Sequence, residues 1–598
     1  MAVFLSASVV FPSVSLSVVF SGFLSVFISL MALPLISSHH SDGLLQAQVV
    51  MSPQSMGIGG GGVSYVTGVE SLFLNPANLQ IRDKNYRLQL VAGQTTLADY
   101  PFLAPADPVT RASDLQDLLL KAVDVQVLNR ITPEDRVSIL NRNYGSERST
   151  ALTYRNADLI WFGFKWFGRR NSFAIAARSR MSSKAELGRG FFDTTPVLTE
   201  LGAGTPVGSG TASGSSEMAL AVDRSLHQTF QVLHEVSMGY SQSLSFLNDL
   251  SPGLSEWIVG IAPKVVFAGP YSEMRFTDQI QPSLQSAEDP WLQQRSFEQH
   301  SAGEITSLLS SYGASDGDSG DGDSGDGDLG SGESLALIDR FYQNRGLTEI
   351  TGYGAGLDIG VTYVITFQRD LSVVLRKSQS TNRSLRLSLS MTDLGAVRYH
   401  RNPQTVRFDF ADTDLASLPA LSDLTYTAGL QEDLLFLSEF GVHPYQTAIA
   451  SVNSNQSDDA DGSDGGTASE SSSETLPASV STKPVWTLLP TSFQAGAMLQ
   501  LNRFAIVADV QLGLQETAFT SEQPILFVGA ELYVLPFLPI RAGLRAADRL
   551  RGYYSLGAGL DFRFLELNAA IQVRSNKNGP TTEPIGAGVA GLRIHFGR

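Results

Sequence analysis

Seven charged side chains near the C-terminus keep one position relative to their neighbours. Arg541, Arg545, Asp561, Arg563, Glu566, Arg574 and Arg593 always lie opposite a row of apolar residues. Arginines in such a row could draw anions along a wet wall. Interleaved with carboxylates, they could instead pair internally. The paired network is favoured, because an unpaired charge held away from bulk water is costly.

Other patterns that could carry chemistry fail on context. Gly57, Gly59 and Gly62 have the spacing of a dinucleotide fingerprint, which needs a strand before it and a helix after it. Here strands follow, and a flexible lead-in is expected. Gly317-Asp318-Ser319-Gly320 matches the surroundings of a trypsin-like nucleophile, yet it recurs at Gly322-Asp323-Ser324-Gly325 inside an acidic repeat. A nucleophile must be held rigidly against a base, which such a segment cannot do. The Asp-Gly-Asp repeats could attract calcium. Counted from Asp321, however, Gly325, Asp326 and Gly332 fall where an EF-hand needs a ligand, a glycine and a bidentate glutamate. His234-Glu235 begins like a zinc-protease helix motif and does not complete it. No enzyme, cofactor or metal site is expected.

The charged row points to the elements beneath it. Leu556, Ala558, Leu560, Phe562 and Phe564 fall on one face of a strand, and Ser555, Gly557, Gly559, Asp561 and Arg563 on the other. Neighbouring segments repeat the pattern with turn residues between them. This is the dyad signature of a transmembrane β-barrel, apolar towards lipid and polar towards the lumen. The fold class is therefore all-β: an antiparallel transmembrane barrel of roughly 14 strands, with a few helical inserts and long acidic loops.

Composition agrees. Of 598 residues only 17% are charged, 55 are glycine and none is cysteine, so a disulfide framework is excluded. The net charge of −17 is local. Residues 315–334 and 454–475 hold thirteen acids and no base, leaving −4 for everything else. These stretches read as solvated, low-complexity loops. Nucleic acid is not an expected partner, since phosphate binding needs concentrated Lys and Arg.

Residues 2–36 are uncharged. Residues 1–47 are expected to be a signal peptide, with Leu45-Gln46-Ala47 as a small-residue cleavage site before Gln48. The n-region lacks Lys or Arg, which leaves open a start at Met31 or a retained anchor. A hatch-like segment, 48–85, precedes the barrel, 86–598, and a helical insert is expected over 113–141. Within it Leu115, Leu118, Leu119, Ala122 and Val123 share a face, Ser113 and Gln116 form a capping pair, and a second helix starts at Thr132 and Pro133.

Strands are expected at 86–93, 159–166, 172–181, 217–224, 230–245, 256–268, 353–366, 384–392, 404–411 and 484–490. A closing set follows at 492–501, 503–516, 525–535, 538–547, 553–563, 564–574 and 586–596. Pro263 should weaken its strand. The inserts 199–217, 285–350 and 412–483 read as loops of the outer rim.

Three segments resemble known families. Leu74-Asn75-Pro76-Ala77 is similar to the Asn-Pro-Ala motif of FadL-type long-chain fatty-acid transporters and of PorV-type barrels of secretion systems. Tyr353 to Tyr363, with Asp358 and Gly360, and Leu387 to Gly395, ending in Asp393, Leu394 and Gly395, resemble the Gly-x-Asp-x-Gly strand and Asp-Leu-Gly turn of an uncharacterised Bacteroidota-type family of outer-membrane barrels. Trp257 to Gly269 resembles the strand between them. Gly591, Ile594 and Phe596 resemble the C-terminal signal read by the barrel assembly machinery, with Gly597 and Arg598 beyond it. The resemblance implies an outer-membrane barrel with a hatch at Asn75, Pro76 and Ala77, and transfers no substrate.

The expected function is a passive channel for small hydrophobic molecules in the outer membrane, with membrane lipid and the assembly machinery as partners. The alternative is a non-transporting barrel, serving as a secretion or assembly accessory or a surface scaffold.

Overall fold

The computed structural model describes residues 52–81, 86–100, 140–144, 150–168, 170–189, 222–223, 225–244, 255–282, 291–306, 349–366, 383–410, 479–548, 551–562, 564–575, 582–589 and 592–596. Its strands begin with β1 (Leu88–Tyr100), β2 (Thr150–Phe167), β3 (Asn171–Gly188), β4 (Val222–Asp223), β5 (Leu226–Ser243), β6 (Ser255–Pro282) and β7 (Trp291–Ala302). Then come β8 (Gly352–Thr366), β9 (Arg383–Tyr399), β10 (Gln404–Phe410), β11 (Ser479–Ser481), β12 (Val485–Leu488) and β13 (Ser492–Leu501). The last are β14 (Phe504–Gly513), β15 (Ile525–Leu535), β16 (Leu538–Asp548), β17 (Arg551–Asp561), β18 (Leu565–Ser575), β19 (Thr582–Val589) and β20 (Leu592–Phe596).

The wall runs β1, β2, β3, β5, β6, β8, β9, β13, β14, β15, β16, β17 and β18, each antiparallel to the next. β19 and β20 act as one interrupted strand between β18 and β1, and Leu88 opposite Phe596 closes the ring. The result is a closed antiparallel barrel of 14 strands. Closure leaves no edge, so the wall satisfies its own backbone in lipid.

The alternation builds this wall directly. On β17, Leu556 and Leu560 are exposed on the outside while Ser555 faces inward and is buried. On β5, Val236, Met238 and Tyr240 point out, and Glu235 and Ser237 point in. β13 to β18 have 10 or 11 residues, enough to cross the hydrocarbon at a tilt. β2, β3 and β5 have 18 and β6 has 28, so one side of the wall rises well past the membrane.

Several sequence expectations are corrected. The insert 285–350 is not all loop, because β7 pairs with the outer half of β6 and then with β10. β12 continues the wall position of β13 along the outer end of β9, whereas β10 and β11 extend the sheet from β7 above the 14-strand ring, and β11 falls inside the expected loop 412–483. Of the strand expected at 217–224, only β4 is described. The strand expected at 503–516 ends at Gly513, and 514–524 form a loop. β6 runs on through Pro263, but its ladder with β5 has no pairs at Ala262 and Pro263, as expected of a strand weakened by proline, while Pro263 still faces Leu357 of β8. The Asp393-Leu394-Gly395 turn is a bulge within β9: the strand runs on to Tyr399, and the register with β8 shifts between Leu357 and Ile359. The expected helices in 113–141 and both acidic loops lie outside the described residues, apart from a single helical turn at Leu140–Tyr144.

Candidate functional site

Residues 52–81 occupy the lumen, and all but Gln54 are buried. Ser52 caps a one-turn helix, α1 (Pro53–Gly57), by accepting from the Ser55 amide at 3.0 Å. The glycine run that follows is a buried, ordered turn rather than a flexible lead-in. Gly59, Gly60 and Gly62 have φ of 104°, 108° and 150°, a region L side chains avoid. Two 3-10 turns complete the segment, at Val69–Phe73 and Pro76–Gln80. The Asn75 carboxamide accepts from the Ala77 amide at 3.1 Å, and Pro76 supplies the first helical φ, so Asn-Pro starts the second turn.

The wall is cut to receive this segment. Gly260 of β6 and Gly360 of β8 are direct cross-strand partners. A Cβ on Gly260 would lie 2.2 Å from the Ala77 nitrogen, and one on Gly360 would lie 2.0 Å from Asn75 Oδ1. Across the lumen Gly529 and Gly543 are also paired, and the Ile58 backbone lies on them, with Cβ positions only 2.4 and 2.0 Å away. No residue with a side chain fits at these four points without displacing backbone or carboxamide.

Polar contacts fix the register of plug and wall. Asn75 Nδ2 donates to Thr362 Oγ1 at 3.0 Å, Thr362 donates to Asn78 Oδ1 at 2.7 Å, and Ser241 donates to the Ala77 carbonyl at 2.8 Å. Asp509 accepts from the Gly62 amide at 2.6 Å and from Ser64 at 2.8 Å. Arg541 donates to Tyr65 and to Glu531, both at 2.8 Å, and to Asn568 at 2.7 Å. Burial holds the Tyr65 phenol neutral well above the usual tyrosine range, against the opposing pull of Arg541. Arg593 binds Glu566 at 2.7 Å and Glu70 of the plug.

Within the charged row of the closing strands, Arg541, Glu566 and Arg593 are ion-paired. Arg541, Arg545, Glu566 and Arg593 are buried, Arg545 lies over the Tyr553 ring at 5.1 Å, and Asp561 accepts from Tyr533 at 3.4 Å. The side chains of Arg563 and Arg574 lie outside the described residues, as does Gly591. Ile594 is half-buried and Phe596 lies exposed on the outer face of the closing strand.

A second ion cluster sits above the plug. Arg178 binds Asp158 at 3.6 Å and Glu235 at 2.9 Å, while Arg180 binds the other Glu235 oxygen at 2.5 Å. Arg180 also makes a two-pronged pair with Asp393, both contacts at 2.9 Å. Lys264 joins Asp393 at 2.6 Å and Asp358 at 2.8 Å. Asp393 holds this place because its φ of 60° at the bulge turns the carboxylate inward, with its amide bound to Asp358. The structure therefore brings Asp358 and Asp393 together and sets Gly360 against Asn75. Leu394 and Gly395 do not join the cluster: they continue β9, and a Cβ on Gly395 would lie 2.0 Å from the Ala355 carbonyl.

Asp158, Arg178, Arg180, Glu235, Lys264, Asp509 and Glu531 were not among the residues expected from sequence. The signal was present. Arg178 and Arg180 lie two apart in an expected strand, and Lys264 alternates with outward-facing Val265. The charge-opposite-apolar test used on the closing strands finds them when applied to the first half of the chain.

Fold and site together define a transmembrane barrel of the outer-membrane type whose lumen is filled by its own N-terminal segment. The chain belongs to a family of unknown function, DUF5723, whose pattern matches residues 110–571. No curated protein matches it. Among solved structures it is similar to the Ralstonia pickettii toluene transporter TbuX, at 10% identity and TM-score 0.36 over 92% of this chain and 98% of that one. It is similar to the P. putida toluene transporter TodX at 11% identity and TM-score 0.34, over 91% and 98%. The translocator domain of the autotransporter NalP from Neisseria meningitidis follows at 7% identity and TM-score 0.25, over 85% and 88%.

Proposed function

We propose that the protein is a passive channel of the outer membrane for small hydrophobic molecules, with residues 52–81 as a hatch and Asn75-Pro76-Ala77 as its working part. The seating of the plug carries this reading. It touches the wall through glycine clearances, individual hydrogen bonds, the Arg593–Glu70 ion pair and apolar packing, and adds no strand to the sheet, so it can shift while the barrel stays closed. Its middle is apolar: Val69, Leu72, Phe73 and Leu79 pack on Val91, Ile160, Ala174, Ala176 and Ala262 of the wall. Moving that patch aside would uncover a surface suited to an apolar solute.

Proteoliposomes holding the refolded mature chain, offered labelled fatty acids and small polar solutes side by side, test this. Selective entry of the lipid-like probe is expected. Exclusion of both by a correctly folded barrel would sink the channel and favour a surface scaffold or assembly accessory. The extension of the sheet by β7, β10 and β11 from the outer half of β6 gives that second reading its support.

A further inference from the structure

The loop between β14 and β15 turns inward instead of out to solvent. Gly513 and Ser521 close its base, the Gly513 amide donating to the Ser521 carbonyl at 2.9 Å, and Thr517 and Thr520 lock its tip, with the Thr517 amide on the Thr520 carbonyl at 3.0 Å. The tip crosses the lumen to β3, six strands away around the wall. There Ser182 donates to the Ala518 carbonyl and Lys184 binds Glu516. Ala518 and Phe519 are buried among Leu233, Val266, Tyr271 and Tyr399. β14 and β15 join at the rim opposite the two-residue turns Asn502-Arg503 and Pro536-Phe537, so this loop covers the outer mouth.

Between loop and plug lies the ion cluster, and each touches it through one aromatic ring. The Arg178 guanidinium stands over Phe73 of the plug at 4.1 Å, and that of Arg180 stands over Phe519 of the loop at 4.9 Å. Glu235 holds both arginines. We infer that residues 514–524 are an outer lid, and that the chain Phe519, Arg180, Glu235, Arg178 and Phe73 couples its position to that of the hatch. The lid's part in gating a solute rests on the channel reading; its mechanical link to the hatch does not. Lifting Phe519 removes a face from Arg180, which is then held by Glu235 and Asp393 alone. Glu235 divides its two oxygens between the two arginines, so a shift of Arg180 is passed to Arg178 and the Phe73 ring.

The chain has no cysteine, so thiols placed at Ser182 and Ala518 would be alone in it. In the refolded barrel Ser182→Cys with Ala518→Cys should cross-link on oxidation. The lock should then slow amide exchange of residues 69–74 about tenfold relative to the reduced protein. It should leave α1 unchanged, since α1 packs on β16 to β19 across the lumen. Adding Phe519→Leu, which keeps the lock and removes the ring beneath Arg180, should cut the slowing to under about threefold. Ser182 meets the backbone carbonyl of Ala518, so a folded barrel whose thiols are joined neither by oxidation nor by a short bis-maleimide overturns the lid. Unchanged exchange at 69–74 after locking overturns the coupling, and undiminished slowing in the Phe519→Leu protein overturns its route. Oxidation should also cut uptake of the apolar probe about tenfold, reversibly on reduction. Slowed exchange without any uptake in the reduced protein would sink the channel reading and leave the coupling standing.

Discussion

Gly360 of the wall and Asn75 of the plug fit so closely that the space for a Cβ on one is taken by the carboxamide oxygen of the other, 2.0 Å away. Gly360→Ala should therefore loosen the plug while the barrel still folds, at a cost of about 1–3 kcal/mol, the usual range for overpacking. Protease cleavage within residues 52–81 of the refolded protein measures the first, and an unboiled gel shift checks the second. In an Asn75→Ala background, which removes the opposing oxygen, the same substitution should cost at least about 1 kcal/mol less, the scale of coupling between touching residues. Equal costs in both backgrounds would show that the two residues do not meet.

Arg180 and Lys264 share Asp393, and neither can be spared alone. Lys264→Met leaves Asp358 and Asp393 side by side in a buried site without their common cation. Breaking such a pair from one side costs about 3–5 kcal/mol. Replacing Asp358 as well, by Asn, should return more than half of that loss, because the orphaned charge goes with it. Denaturant midpoints of the folded barrel read both variants. A single Lys264→Met protein as stable as the parent would remove the cluster from the account of what holds the wall.

Asp393 combines a positive φ with a charge, and the two roles separate by substitution. Asn tolerates the left-handed region nearly as well as Asp and keeps the hydrogen-bond acceptor, whereas Ala loses acceptor and charge and meets the strain. Asp393→Ala should be the more damaging, by about 1–2 kcal/mol of backbone cost beyond Asp393→Asn. Melting of the two variants side by side decides it, and equal melting would mean that the bulge relaxes when the carboxylate goes.

The barrel was legible because its signal has period two and repeats. Leu556 and Ser555 alone decide which way β17 faces, and each further strand repeats the test. The cluster around Glu235 was hidden because its members come from five strands, β2, β3, β5, β6 and β9, with Asp358 of β8 beside them, and no short window contains two partners apart from Arg178 and Arg180. β7 was missed for a different reason. Trp291 to Ala302 is polar on both faces, since it pairs beyond the membrane, where the lipid alternation is not required. The inward loop at 514–524 has no sequence signature beyond its turn residues. Only the register of β14 with β15 shows where it must start.

Arg593 ties the plug to the closing strand, and its two partners differ in what they hold. Glu566 is a wall residue, and Glu70 belongs to the plug, where both its neighbours in the 3-10 turn are buried. Removing the arginine takes the cation from Glu70 and one of several partners from Glu566, which also meets Gln54, Asn568 and His595, so Arg593→Met should destabilise the wall at β20 and the plug together. Glu70→Gln removes only the plug's charge, leaves Arg593 with Glu566, and keeps a hydrogen-bond acceptor. It should loosen residues 69–73 with little change in barrel stability. The contrast separates a latch from a structural brace. Faster amide exchange at 69–73 in Glu70→Gln, with an unshifted unfolding midpoint, is expected. If both measurements move together in both variants, Glu70 is part of the wall's own stability and not the point at which the plug lets go.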